Sequence, residues 1–138
     1  MAWVVDSCVL LDVALKDPEW GLRSAEILEA RRPEGLVVCP VTVIEITPQF
    51  GGDIGEVRKF LAILGASDRE GWLDADTRTA AKAWSGYVAE KRKSVVARAG
   101  KRPVADLMIG AFATRFEGLI TRNPDHFRPW FPGLELPQ

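Results

Sequence analysis

Four acidic residues of this 138-residue chain occupy related positions. Three follow apolar, strand-like runs, and the fourth falls in the first turn of a predicted helix. They are Asp6, Glu45, Asp125 and, on the helix, Asp106. Because parallel sheets place their sites at the carboxyl ends of their strands, we expect these side chains to converge at one edge of a sheet.

Carboxylates that share a pocket repel one another. Two unit charges roughly 4 Å apart interact by about 4 kcal/mol at an effective dielectric of about 20. Protonation or a bound cation relieves this repulsion, and oxygen ligands suit Mg²⁺ or Mn²⁺. A zinc site is not expected, because the single histidine and two separated cysteines have no zinc-ligand spacing. Each acid taken alone also fits a purely structural role, as a turn residue, a helix cap or an acid favoured by the helix dipole.

The apolar pattern predicts the elements that must position these acids. Three short runs, apolar without alternation, are typical of buried parallel strands: WVV (3–5), LVVC (36–39) and GLIT (118–121). Helical spacing recurs over 22–32, 54–65, 75–93 and 103–118. We therefore predict an α/β fold, a three-layer α/β/α sandwich around a short central parallel sheet, with residues 1–138 forming one domain.

The overall charge does not attract nucleic acid. The chain is 47% apolar and 27% charged with a net charge of −1, so any contact with RNA needs a local basic patch. Arg122 and a basic run before Asp106 are the candidates; the run comprises Lys91, Arg92, Lys93, Arg98, Lys101 and Arg102. A solvated surface is the equally simple explanation of that run.

Other features place the protein in the cytoplasm and away from membranes. The chain shows neither a signal peptide nor an apolar run of about 18 residues. Cys8 and Cys39 are predicted to be buried thiols rather than a disulfide. We expect Asp12 at the surface of the first helix and His126 in a structural or surface role.

Four motifs in order, VVDSCVLLD, VTVIEI, PVADLMIGAFA and LITRNPDHF, resemble those of the PIN-domain ribonucleases. The chain is most similar to the VapC toxins of bacterial toxin–antitoxin pairs, from Trp3 to about Phe131. The resemblance implies that Asp6, Glu45 and Asp106 are catalytic acids that hold a metal ion.

The resemblance leaves the fourth position open. The family carries an acid or an asparagine directly after its Thr-Arg pair, which here is Asn123, while Asp125 lies two residues later, where many members carry an acid. Asp125 is taken as the fourth catalytic and metal-binding acid, with Asn123 as the alternative. Ser7 matches a small hydroxyl residue of the family; Ser7, Asn123 and Arg122 are expected to contact the substrate or metal-bound water.

The family's activity supplies the expected function. It implies an endoribonuclease that uses Mg²⁺ (or Mn²⁺), cuts a structured RNA such as tRNA or rRNA, and leaves a 3′-hydroxyl and a 5′-phosphate. As the toxin of a type II toxin–antitoxin system it would bind a cognate antitoxin protein and form a homodimer. The alternative is a PIN-like module that binds RNA or a protein without cutting.

Overall fold

A short parallel β-sheet forms the centre of the computed structural model, which describes residues 2–92 and 103–137. Its strands are β1 Trp3–Val5, β2 Leu36–Val37, β3 Ala66–Ser67 and β4 Gly118–Ile120. They lie in the order β3-β2-β1-β4, and every pairing is parallel. The three predicted strands are confirmed, and β1 and β4, from opposite ends of the chain, are neighbours.

Six α-helices connect or follow the strands in the described part of the chain. They are α1 Ser7–Ala14, α2 Gly21–Arg31, α3 Pro40–Ile46, α4 Ile54–Leu64, α5 Asp74–Arg92 and α6 Val104–Ala113. Short 3-10 helices cover Arg32–Glu34, Thr47–Phe50 and Pro124–His126. Asp53 caps α4 through the backbone N–H groups of Gly55 and Glu56, and Gly65 ends the helix in the left-handed conformation, which glycine adopts without strain.

The sheet is buried on both faces, which explains its apolar strands. Trp3 and Val5 point into one core with residues from α1 to α4, and Val4 points into the other with residues from α5 and α6. Phe127 and Phe131 from the C-terminal segment complete the second core. The predicted three-layer α/β/α sandwich is therefore confirmed.

Three elements differ from the sequence prediction: α3 lies outside the predicted helical ranges, and β3 and α6 differ as follows. Strand β3 was not predicted, because Ala66–Ser67 is too short to show a pattern. Helix α6 ends at Ala113 rather than near Gly118, and residues 114–117 form a turn in which the Thr114 hydroxyl donates to the carbonyl of Ala111. This turn leads the chain directly into β4.

A buried ion pair connects the start of α5 to the turn after α6. The Arg115 guanidinium donates to both oxygens of Asp76 at 2.8 Å, and to the carbonyl of Gly71 at 2.8 Å. Asp76 is 1% exposed and also accepts from the backbone N–H of Leu73. Since a buried charge without its partner is costly, this pair fixes how α5 lies on α6.

Both cysteines are free thiols, as predicted. Burial is the main reason why the pKa of Cys39 is raised to about 11. None of the helices in the described ranges combines the length and the apolar character that crossing a membrane requires.

Candidate active site

Asp6 lies where two neighbouring strands end. Because β1 and β4 are parallel with Val5 opposite Ile120, the residues that follow them, Asp6 and Thr121, emerge side by side. The backbone N–H of Asp6 donates to the carbonyl of Ile120 at 2.9 Å. The Thr121 hydroxyl donates to Asp6 Oδ2 at 2.8 Å. The strand register therefore sets the position of this carboxylate.

Asp6 is also the N-cap of α1. Its backbone is extended, and its Oδ1 accepts from the backbone N–H of Ser7 at 2.8 Å. The Cys8 thiol lies 3.4 Å from Oδ2. The residue is only 4% exposed, so the carboxylate is held at the base of this edge of the sheet with both oxygens oriented.

Glu45 interacts electrostatically with Asp6 and Asp106. It lies on α3, which Pro40 begins shortly after β2. Partial burial raises the pKa of Glu45, the negative charge of Asp6 raises it further, and that of Asp106 adds a smaller effect. The residue as a whole is exposed, so this burial concerns only part of the side chain. Three carboxylates from three separate segments thus lie near enough for their charges to interact.

Ser7 adds a hydroxyl between two of these acids. Its Oγ lies 3.4 Å from Asp6 Oδ1, and hydrogen bonding to the Ser7 side chain opposes the rise in the pKa of Glu45. A contact of Ser7 with substrate or metal-bound water stays a prediction.

Asp106 lies in the first turn of α6, where the helix dipole favours an acid. Its Oδ2 is 3.4 Å from Nδ1 of His126, and the two side chains are 31% and 58% exposed. His126 is therefore at the surface, in line with the sequence prediction, but it also borders the acid cluster. Only the packing of the C-terminal segment near the start of α6 reveals this contact.

Asp125 does not join these acids. Its side chain is 88% exposed and pairs with Arg128 at 2.8 Å, within one turn of the chain. Asn123 is exposed as well, but its backbone N–H donates to the Thr121 hydroxyl at 3.0 Å. Electrostatic interaction thus connects Glu45 with Asp6 and Asp106, whereas Asp125 pairs with Arg128. Convergence of the four acids on one metal ion stays a prediction.

Arg122 and Asp12 form a second polar cluster, which the sequence did not predict. Asp12 is 4% exposed, so its predicted surface position is wrong. It accepts from the Ser24 hydroxyl at 2.9 Å and lies 3.3 Å from Arg122 Nη2. The Arg122 guanidinium also lies over the ring of Trp20, 5.3 Å from its centroid. Arg122 is thus partly neutralised rather than a free cation beside the acids.

Only the first two residues of the predicted basic run belong to the described part of the chain. Lys91 and Arg92 end α5, and the ammonium group of Lys91 lies 5.3 Å from the ring centroid of Tyr87. The other members, Lys93, Arg98, Lys101 and Arg102, lie outside the described residues.

The three acids offer the type of ligand that a hard cation prefers, but they do not form a ready-made site. Within residues 2–92 and 103–137, no group of three or more acidic, histidine or cysteine side chains is arranged to ligate a metal directly. Mg²⁺, however, keeps several of its waters and needs only one or two carboxylates. Asp6, Glu45 and Asp106 offer oxygen ligands alone, and the charge repulsion at Glu45 is what a cation relieves.

Comparison with family models, curated proteins and solved structures finds no match to this chain. The α/β fold, with a four-stranded parallel sheet and helices packed on it, is what the structure shows. Any function must therefore be argued from the geometry at the sheet edge and from the sequence motifs.

Proposed function

We propose that this protein is a metal-dependent endoribonuclease of the PIN-domain type that hydrolyses RNA phosphodiester bonds. The observation that carries the proposal is the position of Asp6 at the carboxyl edge of the parallel sheet, where Thr121 donates to it and where Glu45 and Asp106 belong to the same electrostatic neighbourhood. Acidic side chains at the carboxyl edge of a parallel sheet are typical of an active site.

In this proposal Asp6 and Asp106 would hold Mg²⁺ or Mn²⁺, and Glu45 would act beside them. Such an ion would supply activation of a water molecule and would offset negative charge on the phosphodiester. Glu45 would receive the proton that the attacking water loses. Thr121 and Ser7 keep the Asp6 oxygens oriented throughout.

The biological role follows from the family resemblance. We propose a toxin of a type II toxin–antitoxin system, acting in the cytoplasm on a structured RNA, assembled as a homodimer and silenced by a cognate antitoxin. Expression of the chain alone should stop bacterial growth, and co-expression of the antitoxin should restore it. Normal growth despite abundant folded protein would exclude the toxin role without excluding the nuclease.

The decisive experiment is cleavage of total RNA by purified protein with Mg²⁺ or Mn²⁺ and then with EDTA. Asp6→Asn should abolish cleavage but still fold, because asparagine is an equally good N-cap. Asp74→Asn is the matched control, since Asp74 is an exposed acid at the start of α5. Equal cleavage by wild type and the Asp6 variant would show a contaminating nuclease and refute the proposal.

The same assay tests the fourth position. Because Asp125 is exposed and bound to Arg128, we expect Asp125→Asn to retain most of the activity, whereas Glu45→Gln and Asp106→Asn lose it. Loss of cleavage in Asp125→Asn, with unchanged stability, would restore Asp125 to the site.

The alternative is a PIN-like module that binds RNA or a protein without cutting. The exposure of Asp125 and the lack of a direct three-ligand group among the described residues favour it. RNA binding that needs no divalent cation, together with intact RNA after long incubation in Mg²⁺ and Mn²⁺, would decide for this alternative.

A further inference from the structure

A small cavity lies between α1, α2 and the end of β4. Its volume is about 90 Å³, well above the roughly 10–15 Å³ that one water needs. Arg23, Ser24, Thr121 and Arg122 provide its polar lining, and Trp20 provides much of its apolar wall. Thr121 also donates to Asp6, so one residue borders both this cavity and the proposed active site.

Arg122, which lines this cavity, has one unsatisfied donor. Its Nε is buried and has no hydrogen-bond partner among the described residues, although Nη2 lies 3.3 Å from Asp12 Oδ1. Buried donors are rarely left without a partner, and such a group calls for a water or ligand that the protein alone does not supply. The fixed fork of a guanidinium matches the oxygens of a phosphate group.

Arg23 adds a second guanidinium. It is exposed, lies 5.5 Å from the ring centroid of Trp20, and forms no ion pair within the described chain. The two arginines therefore contact the same indole ring. Asp12 offsets the charge of Arg122, and Asp17, also near Arg122, is bound to the backbone N–H groups of Glu19 and Trp20.

We propose that this cavity binds a phosphate group, with the Arg122 guanidinium donating to one oxygen and Arg23 supplying a second cation that has no ion pair of its own among the described residues. The inference extends the proposed function and rests on it where RNA is concerned: the group would be a phosphate of the bound RNA near the cleaved bond. Inorganic phosphate is the other source of the same chemistry.

The first experiment measures phosphate binding without any divalent cation, so that it is independent of the nuclease proposal. Inorganic phosphate is titrated into the ¹⁵N-labelled full chain in EDTA, with chloride at equal ionic strength as reference. The Nε–H signal of Arg122, assigned by its loss in Arg122→Lys, should shift and saturate.

Two variants test the role of Arg23. Arg23→Ala should weaken phosphate binding several-fold. Arg69→Ala should leave it unchanged, because Arg69 is an exposed arginine beyond β3 at the other edge of the sheet. An Nε–H signal indifferent to phosphate would show a water-filled cavity and overturn the proposal.

The second experiment separates the two sources. If RNA supplies the phosphate, Arg23→Ala should raise the KM for RNA cleavage several-fold and reduce its salt dependence, while Arg69→Ala matches wild type. Phosphate binding with an unchanged KM in Arg23→Ala would assign the cavity to free phosphate and refute the RNA contact. If the wild-type protein does not cleave RNA at all, the proposed function is refuted, but the result of the phosphate titration still stands.

Discussion

At the scale of single residues, Asp6 combines a structural and a proposed chemical role. Its side chain caps α1 and accepts the Thr121 hydroxyl, so its orientation is fixed before any ligand binds. Removal of a partner from a buried carboxylate leaves that group unsatisfied. The hydroxyl of Thr121 should therefore matter for stability as well as for activity.

Thr121→Val should destabilise the protein by about 1–3 kcal/mol, because Asp6 loses a donor inside the protein. Urea denaturation measures this change. Thr121→Ser keeps the hydroxyl and should recover most of the loss. Equal stability of the valine and serine variants would show that the hydrogen bond contributes nothing.

Glu45→Gln should raise the melting temperature at pH 7 in EDTA by a few degrees at most. The pKa of Glu45 is above its ordinary value of 4.5, so the folded state disfavours the charged form. The stability contributed by protonated Glu45 is complete below pH 4.5 and is lost as the pH rises through the raised pKa, so the advantage of glutamine appears only above that range.

Thermal melts at pH 3 and pH 7 check this prediction. Glu56→Gln is the control and should lower the melting temperature at pH 7. Glu56 lies in the first turn of α4, where the helix dipole favours an acid. A melting temperature lowered by Glu45→Gln at pH 7 in EDTA would contradict the prediction.

At the scale of elements, α6 connects the site to the second core. Asp106 lies in its first turn, while its buried residues pack against Phe131 and the sheet. Gly110 lies at the crossing, because a Cβ there would overlap the ring of Phe131. Helix propensity alone would favour alanine at position 110, so the close packing of Phe131 is the reason for glycine there.

Gly110→Ala should destabilise the protein by about 1–3 kcal/mol, as overpacking in a core does. Gly86→Ala should instead stabilise it by about 0.5–1 kcal/mol, because the nearest atom to its Cβ is Cζ3 of Trp130 at 3.7 Å. Both follow from urea denaturation of the two variants. A Gly110→Ala variant that is as stable as wild type or more stable would mean that the ring of Phe131 moves aside at little cost.

At the scale of the whole molecule, the second core protects Cys39, which is fully buried and has a pKa of about 11. At pH 8 about a thousandth of such a thiol is ionised, and the core excludes reagents. In a Cys8→Ser variant, iodoacetamide should modify Cys39 rapidly in urea and very slowly in the native state, as measured by mass spectrometry. Rapid native modification would mean that this core opens often.

The local sequence determined most of the elements and the positions of the acids along the chain. WVV and GLIT carry their strand character in their composition, because strands covered on both faces need apolar residues throughout. Asp6 and Asp106 were identifiable because they stand at a strand end and a helix start, and Glu45 because its motif VTVIEI follows an apolar run. These are short-range signals, readable from neighbouring residues.

The tertiary structure alone decided which of these groups meet. The pairing of β1 with β4 brings Thr121 to Asp6, and the packing of α1 against α2 buries Asp12 beside Ser24. Asp125 has the same local signature as the converging acids, yet the 3-10 helix directs it to Arg128 and solvent. Strand order, register and burial arise from contacts between residues far apart in the chain, and periodicity along a single segment contains no information about them.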